Sequence, residues 1–171
     1  MLIDDNNFRT WTQDDYRYNL TEAFDEEKYP DAQYRYFKDC GCLIVALAIM
    51  LRLSGVEKET DYSKFNPWIL LERAKASECF DKSADFILSK LSELYPIEQF
   101  ECVPYSREAL IDSRNKGYLS LLMVPGLNSP YHYIVPDEIF INDISVIDNK
   151  FGKTLASQYK KVYYILNFKY V

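Results

Sequence analysis

The apolar run from Cys42 to Leu53, Cys-Leu-Ile-Val-Ala-Leu-Ala-Ile-Met-Leu-Arg-Leu, constrains the fold of this chain more than any other segment. Wound as a helix, the run is apolar on nearly every side, which is typical of a helix buried all round. Gly55 suits the left-handed position just past the helix end. The sequence therefore predicts a helix over residues 42–53 that the rest of the chain must cover.

Local signals predict three further helices. Asn66 before Pro67 is a cap followed by proline at the first helical position, which predicts a helix through about Ala76. Ser83 can cap a second helix ending at Tyr95, before Pro96. Ser106 begins a third, which Gly117 can close. Residues 1–39 are polar and aromatic without a sustained period, so we expect an extended lead-in that wraps over the domain.

The second half of the chain is predicted to form mainly strands, because β-branched and aromatic residues alternate there with turn breakers. The predicted strands are Ile97–Val103, Tyr118–Val124, Tyr131–Val135, Glu138–Ile141, Ser145–Asp148 and Val162–Tyr170. Helices early and strands late favour an α+β fold with a segregated antiparallel sheet. A length of 171 residues fits one domain, so we expect residues 1–171 to form a single unit.

Composition excludes several classes of function. The net charge of −6 argues against nucleic acid as a partner, since that affinity depends on clustered Lys and Arg. No export signal and no long apolar stretch is visible, so we expect no membrane association and a cytoplasmic or phage-associated protein. The many Asn, Lys, Tyr and Ile residues suit an A/T-rich bacterial or phage genome.

The four cysteines, at 40, 42, 79 and 102, are better interpreted as free thiols than as a disulfide frame or a metal site. Cys40 and Cys42 are the only close pair, and zinc sites of this kind need a second group of ligands. There is also no glycine-rich phosphate loop. We therefore expect neither a metal nor a cofactor.

Two residues carry the chemistry that the sequence indicates most directly. Cys42 begins the buried helix, where unpaired N–H groups and the helix dipole favour a thiolate. His132, the only histidine, opens an apolar segment that reads as a strand, and Asp148 ends another strand sixteen residues later. An imidazole that activates a thiol must be held in one tautomer and orientation, which a carboxylate on an adjacent strand can do.

Gly41-Cys42, followed by Leu47-Ala-Ile-Met-Leu51 and Gly55, resembles the nucleophile helix of papain-like cysteine peptidases related to the bacteriocin leader-processing enzymes. Trp11-Thr-Gln13-Asp-Asp-Tyr-Arg17-Tyr18 resembles the entry motif of that family, and the segments around His132 and Asp148 resemble its histidine strand and the strand that follows. The resemblance spans residues 11–150. It departs from the family at Leu43, Ile44 and Val45, where many relatives carry smaller residues.

The resemblance implies a papain-like α+β fold and four site residues. Cys42 is the nucleophile, His132 the base, Asp148 the residue that orients the base, and Gln13 a donor to the oxyanion. Two alternatives stay open at this point. Cys40 sits in an Asp-Cys-Gly step that also resembles the family, although the downstream register favours Cys42, and Asn149 could take the place of Asp148.

The implied reaction is hydrolysis of a peptide or amide bond. The partner is then a peptide or protein substrate, with a peptidoglycan cross-bridge peptide as another candidate, since relatives include phage and bacterial cell-wall hydrolases. A catalytically inactive relative that binds peptides or a partner protein is the alternative that the bulky residues after Cys42 favour. An acyl transferase using the same groups is a third possibility.

Overall fold

The computed structural model describes residues 4–18, 21–127 and 129–171. Over these ranges the protein is a mixed α+β structure with four helices and a six-stranded sheet. The helices are α1 (Phe37–Cys40), α2 (Cys42–Leu53), α3 (Pro67–Ala76) and α4 (Arg107–Asn115). The strands are β1 (Ile97–Pro104), β2 (Tyr118–Val124), β3 (His132–Ile139), β4 (Ile144–Asp148), β5 (Gly152–Leu155) and β6 (Tyr164–Tyr170).

Helix α2 is the centre of the larger of two apolar clusters. All of its residues from Ile44 to Leu51 are buried, as a helix apolar on every side requires. It packs on β3, β2 and α3. Aromatic residues from the segment before α1 complete the cluster, among them Trp11, Phe24 and Tyr29. Each buried large side chain contributes about 1.5 to 3 kcal/mol to folding, so α2 is a major source of stability.

All neighbouring strands of the sheet are antiparallel, in the order β1-β6-β2-β3-β4-β5. Successive residues of a strand face opposite sides, and the two apolar clusters follow this alternation. Val135 and Ile147 belong to the cluster around α2, whereas Ile134 and Val146 pack in a second cluster with Leu110 of α4. The sheet is therefore covered on both faces.

The prediction of an α+β fold with an antiparallel sheet is confirmed, and so are the bounds of α2, α3 and β2. The predicted helix from Ser83 to Tyr95 is wrong. Ala84 has a φ of 61°, and the Asp81 carboxylate accepts from the N–H groups of Ser83 and Asp85. This local turn competes with a helix, and only a 3-10 helix at Leu88–Glu93 follows it.

Two features of the sheet also differ from the prediction. The two predicted strands on either side of Pro136 form one strand, β3, with an irregular register between Pro136 and Ile139 that accommodates the proline. The short edge strand β5 was not predicted, because four residues carry too little pattern. Helix α4 lies between β1 and β2, where Ser106 and Gly117 predicted it.

The amino-terminal segment contains little regular structure over the residues described. A 3-10 helix spans Phe8–Thr10, and an isolated bridge joins Glu22 to Tyr36. No helix within the described ranges combines the length and apolar character that a membrane span needs.

Candidate active site

Cys42 is the first residue of α2 and is half-buried. Its N–H has no acceptor within that helix, because the acceptor would lie four residues earlier, before the helix begins. Gly41 allows α1 and α2 to meet with a single residue between them. A Cβ at Gly41 would lie 2.6 Å from the Phe37 carbonyl oxygen and 2.8 Å from the Phe37 ring. The Gly41-Cys42 step therefore determines the position of the Cys42 thiol at the start of α2.

A cavity of about 580 Å³ opens beside this helix start. Gln13, Cys42 and His132 all line it, although they come from three separate parts of the chain. Leu43, Ile44 and Val45, the bulky residues that follow the thiol, are not among the described lining residues. Ile44 and Val45 are instead buried in the core, so their bulk does not obstruct the cavity next to Cys42.

His132 begins β3 and connects the thiol to the sheet. The residue is 8% exposed; its Nε2 lies 3.0 Å from Oδ1 of Asp148, and His132 and Cys42 line the same cavity. Burial lowers the pKa of His132, but the interactions with Asp148 and Cys42 outweigh burial and raise the pKa to about 9. The imidazolium form is therefore favoured at neutral pH.

Asp148 ends β4 directly opposite Ile134, so its side chain shares a face of the sheet with His132 two residues earlier. The carboxylate is fully buried and accepts hydrogen bonds from His132, from the Tyr159 hydroxyl and from the Lys150 N–H, the last at 2.7 Å. Burial opposes ionisation, yet these donors lower the pKa of Asp148 below its usual value. The carboxylate is thus held ionised next to the imidazole.

Tyr159 is a site residue that the sequence did not reveal. It follows a 3-10 helix at Ala156–Gln158, lines the cavity and donates its hydroxyl to Asp148. Burial and the neighbouring carboxylate raise the pKa of Tyr159, so the hydroxyl keeps its proton. As one of 15 tyrosines outside any recognised motif, it gave no signal in the sequence.

Asn149, the alternative partner for His132, has a different position. Its Nδ2 donates to the backbone carbonyl of Cys42 at 3.0 Å and lies 3.5 Å from that of Tyr133. Adjacent strand residues face opposite sides, so Asp148 reaches the imidazole while Asn149 reaches the helix. Asn149 ties the start of α2 to the sheet, which fixes the distance between the thiol and the imidazole.

Cys40, the alternative nucleophile, ends α1 and donates its thiol to the Tyr36 carbonyl at 3.1 Å. Burial, followed by the charges of Cys42 and Asp39, raises the pKa of Cys40 to about 12. It is not among the described residues that line the cavity. The thiol next to the imidazole is that of Cys42.

Gln13 is 4% exposed and lines the cavity. Its Nε2 donates to the Lys38 carbonyl oxygen at 2.5 Å. A primary amide nitrogen carries two protons, so the second N–H remains for another acceptor. The Gln13 side chain is therefore oriented by α1, the helix immediately before Cys42.

Ion pairs hold the backbone around Gln13. Arg17 binds the buried Asp15 through Nε, at 2.9 and 3.0 Å from the two carboxylate oxygens, and binds Asp5 through its terminal nitrogens. The guanidinium also lies over the Tyr62 ring, 4.7 Å from its centroid. These contacts anchor the segment that carries Gln13 to the loop before α3.

The chain brings Gln13, Cys42 and His132 to one cavity, and Asp148 is buried next to His132. Within the described ranges, no group of three His, Cys, Asp or Glu side chains is arranged to hold a metal ion. The arrangement contains a thiol beside an imidazole that is hydrogen-bonded to a buried carboxylate, with amide donors nearby. That set is suited to nucleophilic attack on a carbonyl carbon.

Comparisons with models of protein families, with curated proteins and with solved structures found no significant match.

Proposed function

We propose that this protein is a papain-like thiol hydrolase that cleaves a peptide or amide bond. The observation that carries the proposal is the hydrogen-bonded pair of His132 and the buried Asp148, with His132 beside Cys42 at the wall of a 580 Å³ cavity. The papain-like arrangement we infer is a buried helix that begins with the nucleophile and packs on an antiparallel sheet, one strand of which begins with the base.

In the proposed first step, the Cys42 thiolate attacks the carbonyl carbon of the scissile bond. The developing oxyanion accepts hydrogen bonds from the Cys42 N–H and from the second N–H of Gln13, an effect worth about 100-fold or more in rate. His132, protonated at the start because its pKa is about 9, gives its proton to the leaving amine as the C–N bond breaks. A thioester to Cys42 remains.

In the second step, neutral His132 takes a proton from water, and the resulting hydroxide attacks the thioester. The C–S bond breaks, the product acid leaves, and the thiolate–imidazolium pair is restored. Asp148 acts through His132 in both steps, because it accepts the Nε2–H and holds the other ring nitrogen toward the sulfur. The cycle needs no metal or cofactor.

The test is cleavage of a degenerate peptide library, with the products identified by mass spectrometry. We expect new amino and carboxyl termini with wild-type protein and none with Cys42→Ala, whereas Cys40→Ala should retain activity. If folded wild-type protein leaves the library intact, the protein is not a hydrolase of peptides. Binding without cleavage would instead support an inactive relative that holds peptides.

An acyl transferase is separated from a hydrolase in the same experiment. Adding glycinamide offers an amine that competes with water for the thioester. A hydrolase gives mainly the free carboxylate product, whereas a transferase gives mainly the amide of glycinamide. The mass difference between the two products distinguishes them directly.

A further inference from the structure

The charge of the cavity differs in sign from that of the whole chain. Three lysines line it, Lys38, Lys150 and Lys160, against one acidic residue, Asp39. The chain as a whole has a formal charge of −6. A cavity lined by one sign of charge concentrates ligands of the opposite sign, so the local excess of lysine matters more for binding than the total charge.

The three lysines are tied closely to the site. Lys38 holds Gln13 through its backbone carbonyl, and the Lys150 N–H donates to Asp148. Lys160 directly follows Tyr159, whose hydroxyl binds the same carboxylate. Adjacent Cα atoms are about 3.8 Å apart, so each lysine stem starts near a residue that shapes the site. The lysines thus approach the cavity from the helix side and from the sheet side.

The ammonium groups of these lysines are available to a ligand. The lysine ion pairs formed in the described part of the chain involve other residues, namely Lys64, Lys75, Lys116, Lys153 and Lys169. Asp148, the buried carboxylate closest to Lys150 in sequence, already accepts from His132 and Tyr159. Among the described residues, no carboxylate forms an ion pair with the three lysines that line the cavity, and this includes Asp39.

Apolar side chains complete the wall. Leu127 is 75% exposed and Phe151 61% exposed, and both line the cavity. Ligand pockets are lined largely by apolar side chains, which pack against the apolar parts of a ligand. A peptide with side-chain carboxylates and at least one bulky apolar residue matches this combination of charge and surface.

We infer that the substrate is an acidic peptide segment, in which Asp or Glu side chains flank the scissile bond and bind Lys38, Lys150 and Lys160. This inference rests on the proposed hydrolase function, although its binding part does not require cleavage. Leu127 and Phe151 contact an apolar residue of the same segment. Basic or strongly polar neutral segments are then poor substrates.

The experiment compares two degenerate octapeptide libraries that differ only in fixed positions on both sides of the central pair, Glu in one and Gln in the other. Cleavage by wild-type protein gives relative kcat/KM, and fluorescence anisotropy with Cys42→Ala gives relative Kd. Both are measured at low and high salt. We expect the Glu library to be favoured about 10-fold or more at low salt in both readouts, and less at high salt.

Two triple variants test which lysines are responsible for the preference for the Glu library. The first replaces Lys38, Lys150 and Lys160 with Gln, and the matched control replaces Lys58, Lys64 and Lys82, which are exposed and outside the described lining. Both variants lose the same charge. We expect the first to reduce the preference for Glu to about 2-fold or less through KM, and the control to keep it.

The possible outcomes separate the two proposals. Cleavage of both libraries at equal rates overturns the acidic preference but leaves the hydrolase. Tighter binding of the Glu library without cleavage, dependent on the three lysines, supports the acidic preference and overturns the hydrolase. Equal binding of both libraries, binding of neither, or a preference that persists in the first variant all overturn the inference.

Discussion

The two sides of the candidate site are built in different ways. His132 and Asp148 lie on paired strands, and we call them the strand-end pair; their relative position follows from the register of β3 and β4. Gln13 lies in residues 4–18, the amino-terminal arm, whose only regular structure is one 3-10 turn. The pair is fixed by the backbone hydrogen bonds of paired strands, whereas the arm is held by side chains, namely the ion pairs of Arg17 and the buried ring of Trp11. Disturbing each side should therefore have different consequences.

The largest effect is expected on the strand-end pair. Asp148→Asn removes the charge that orients and protonates His132, so we expect kcat for library peptides to fall about 1,000-fold. The pKa of His132 should fall well below its wild-type value of about 9, since burial remains without the carboxylate. Because His132 is the only histidine, its imidazole proton resonance in NMR reports this pKa without assignment.

The matched control for that variant is Asp143→Asn. Asp143 also accepts from backbone N–H groups, those of Ile144 at the start of β4 and of Ser157, but it is not among the residues that line the cavity. It should leave the His132 pKa and the rate of cleavage near their wild-type values. A wild-type His132 pKa near 6.5 would contradict the hydrogen-bonded pair.

The second effect concerns the amino-terminal arm. Arg17→Ala leaves Asp15, which is 2% exposed, as a buried carboxylate without its cation, so we expect a loss of about 1 to 3 kcal/mol in the free energy of unfolding. Activity should fall about 10-fold because Gln13 is less well held, while the His132 pKa stays near 9. Urea denaturation measures the free energy of unfolding, and an NMR titration measures the His132 pKa. Adding Asp15→Asn should restore part of the stability, and no recovery would argue against the ion-pair account.

The third prediction is a pH dependence of stability that comes from His132. Its pKa in the folded protein, about 9, lies above the value of about 6.5 in an unfolded chain, so folding favours the protonated form. The stabilisation is complete below pH 6.5 and is lost as the pH rises through 9. We expect about 1 to 3 kcal/mol over this window. The difference in unfolding free energy between wild type and His132→Gln should shrink by that amount from pH 6 to pH 9.5, and a constant difference would contradict the account.

The smallest effect is expected for Tyr159, which we regard as a positioning residue. Tyr159→Phe removes one of the donors to Asp148 but keeps the ring against the cavity, so kcat should fall about 5-fold with KM nearly unchanged. The carboxylate becomes easier to protonate, so the acid limb of the pH–rate profile should move to higher pH. A purely structural role would lower stability without moving that limb.

Contacts between residues of paired strands, and caps within a few residues, could be predicted from the sequence. The nearness of His132 and Asp148 follows from a spacing that two antiparallel strands can satisfy, and the bounds of α3 follow from Asn66 and Pro67, whose cap and proline act locally. Such signals are contained in a few consecutive residues.

Long-range partners leave no comparable pattern. Tyr159 reaches Asp148 only after β5 has paired with β4, and Asn149 reaches the carbonyl of Cys42, a residue 107 positions away in the chain. The helix predicted from Ser83 failed for a related reason, since Phe80 pairs with Phe86 and closes a turn instead. Whether a cap starts a helix or a turn depends on what packs around it.

The central claim is that the Cys42 thiol and the His132 imidazole form one reactive pair. The most direct measurement is the rate at which iodoacetamide alkylates each cysteine, resolved by peptide mass spectrometry between pH 5 and 9, in wild type and in His132→Ala. The account predicts that Cys42 reacts at least about 10-fold faster than Cys79 and Cys102 at neutral pH, and that His132→Ala abolishes this advantage. Equal rates for the three cysteines in wild-type protein, or an unchanged Cys42 rate without the imidazole, would contradict it.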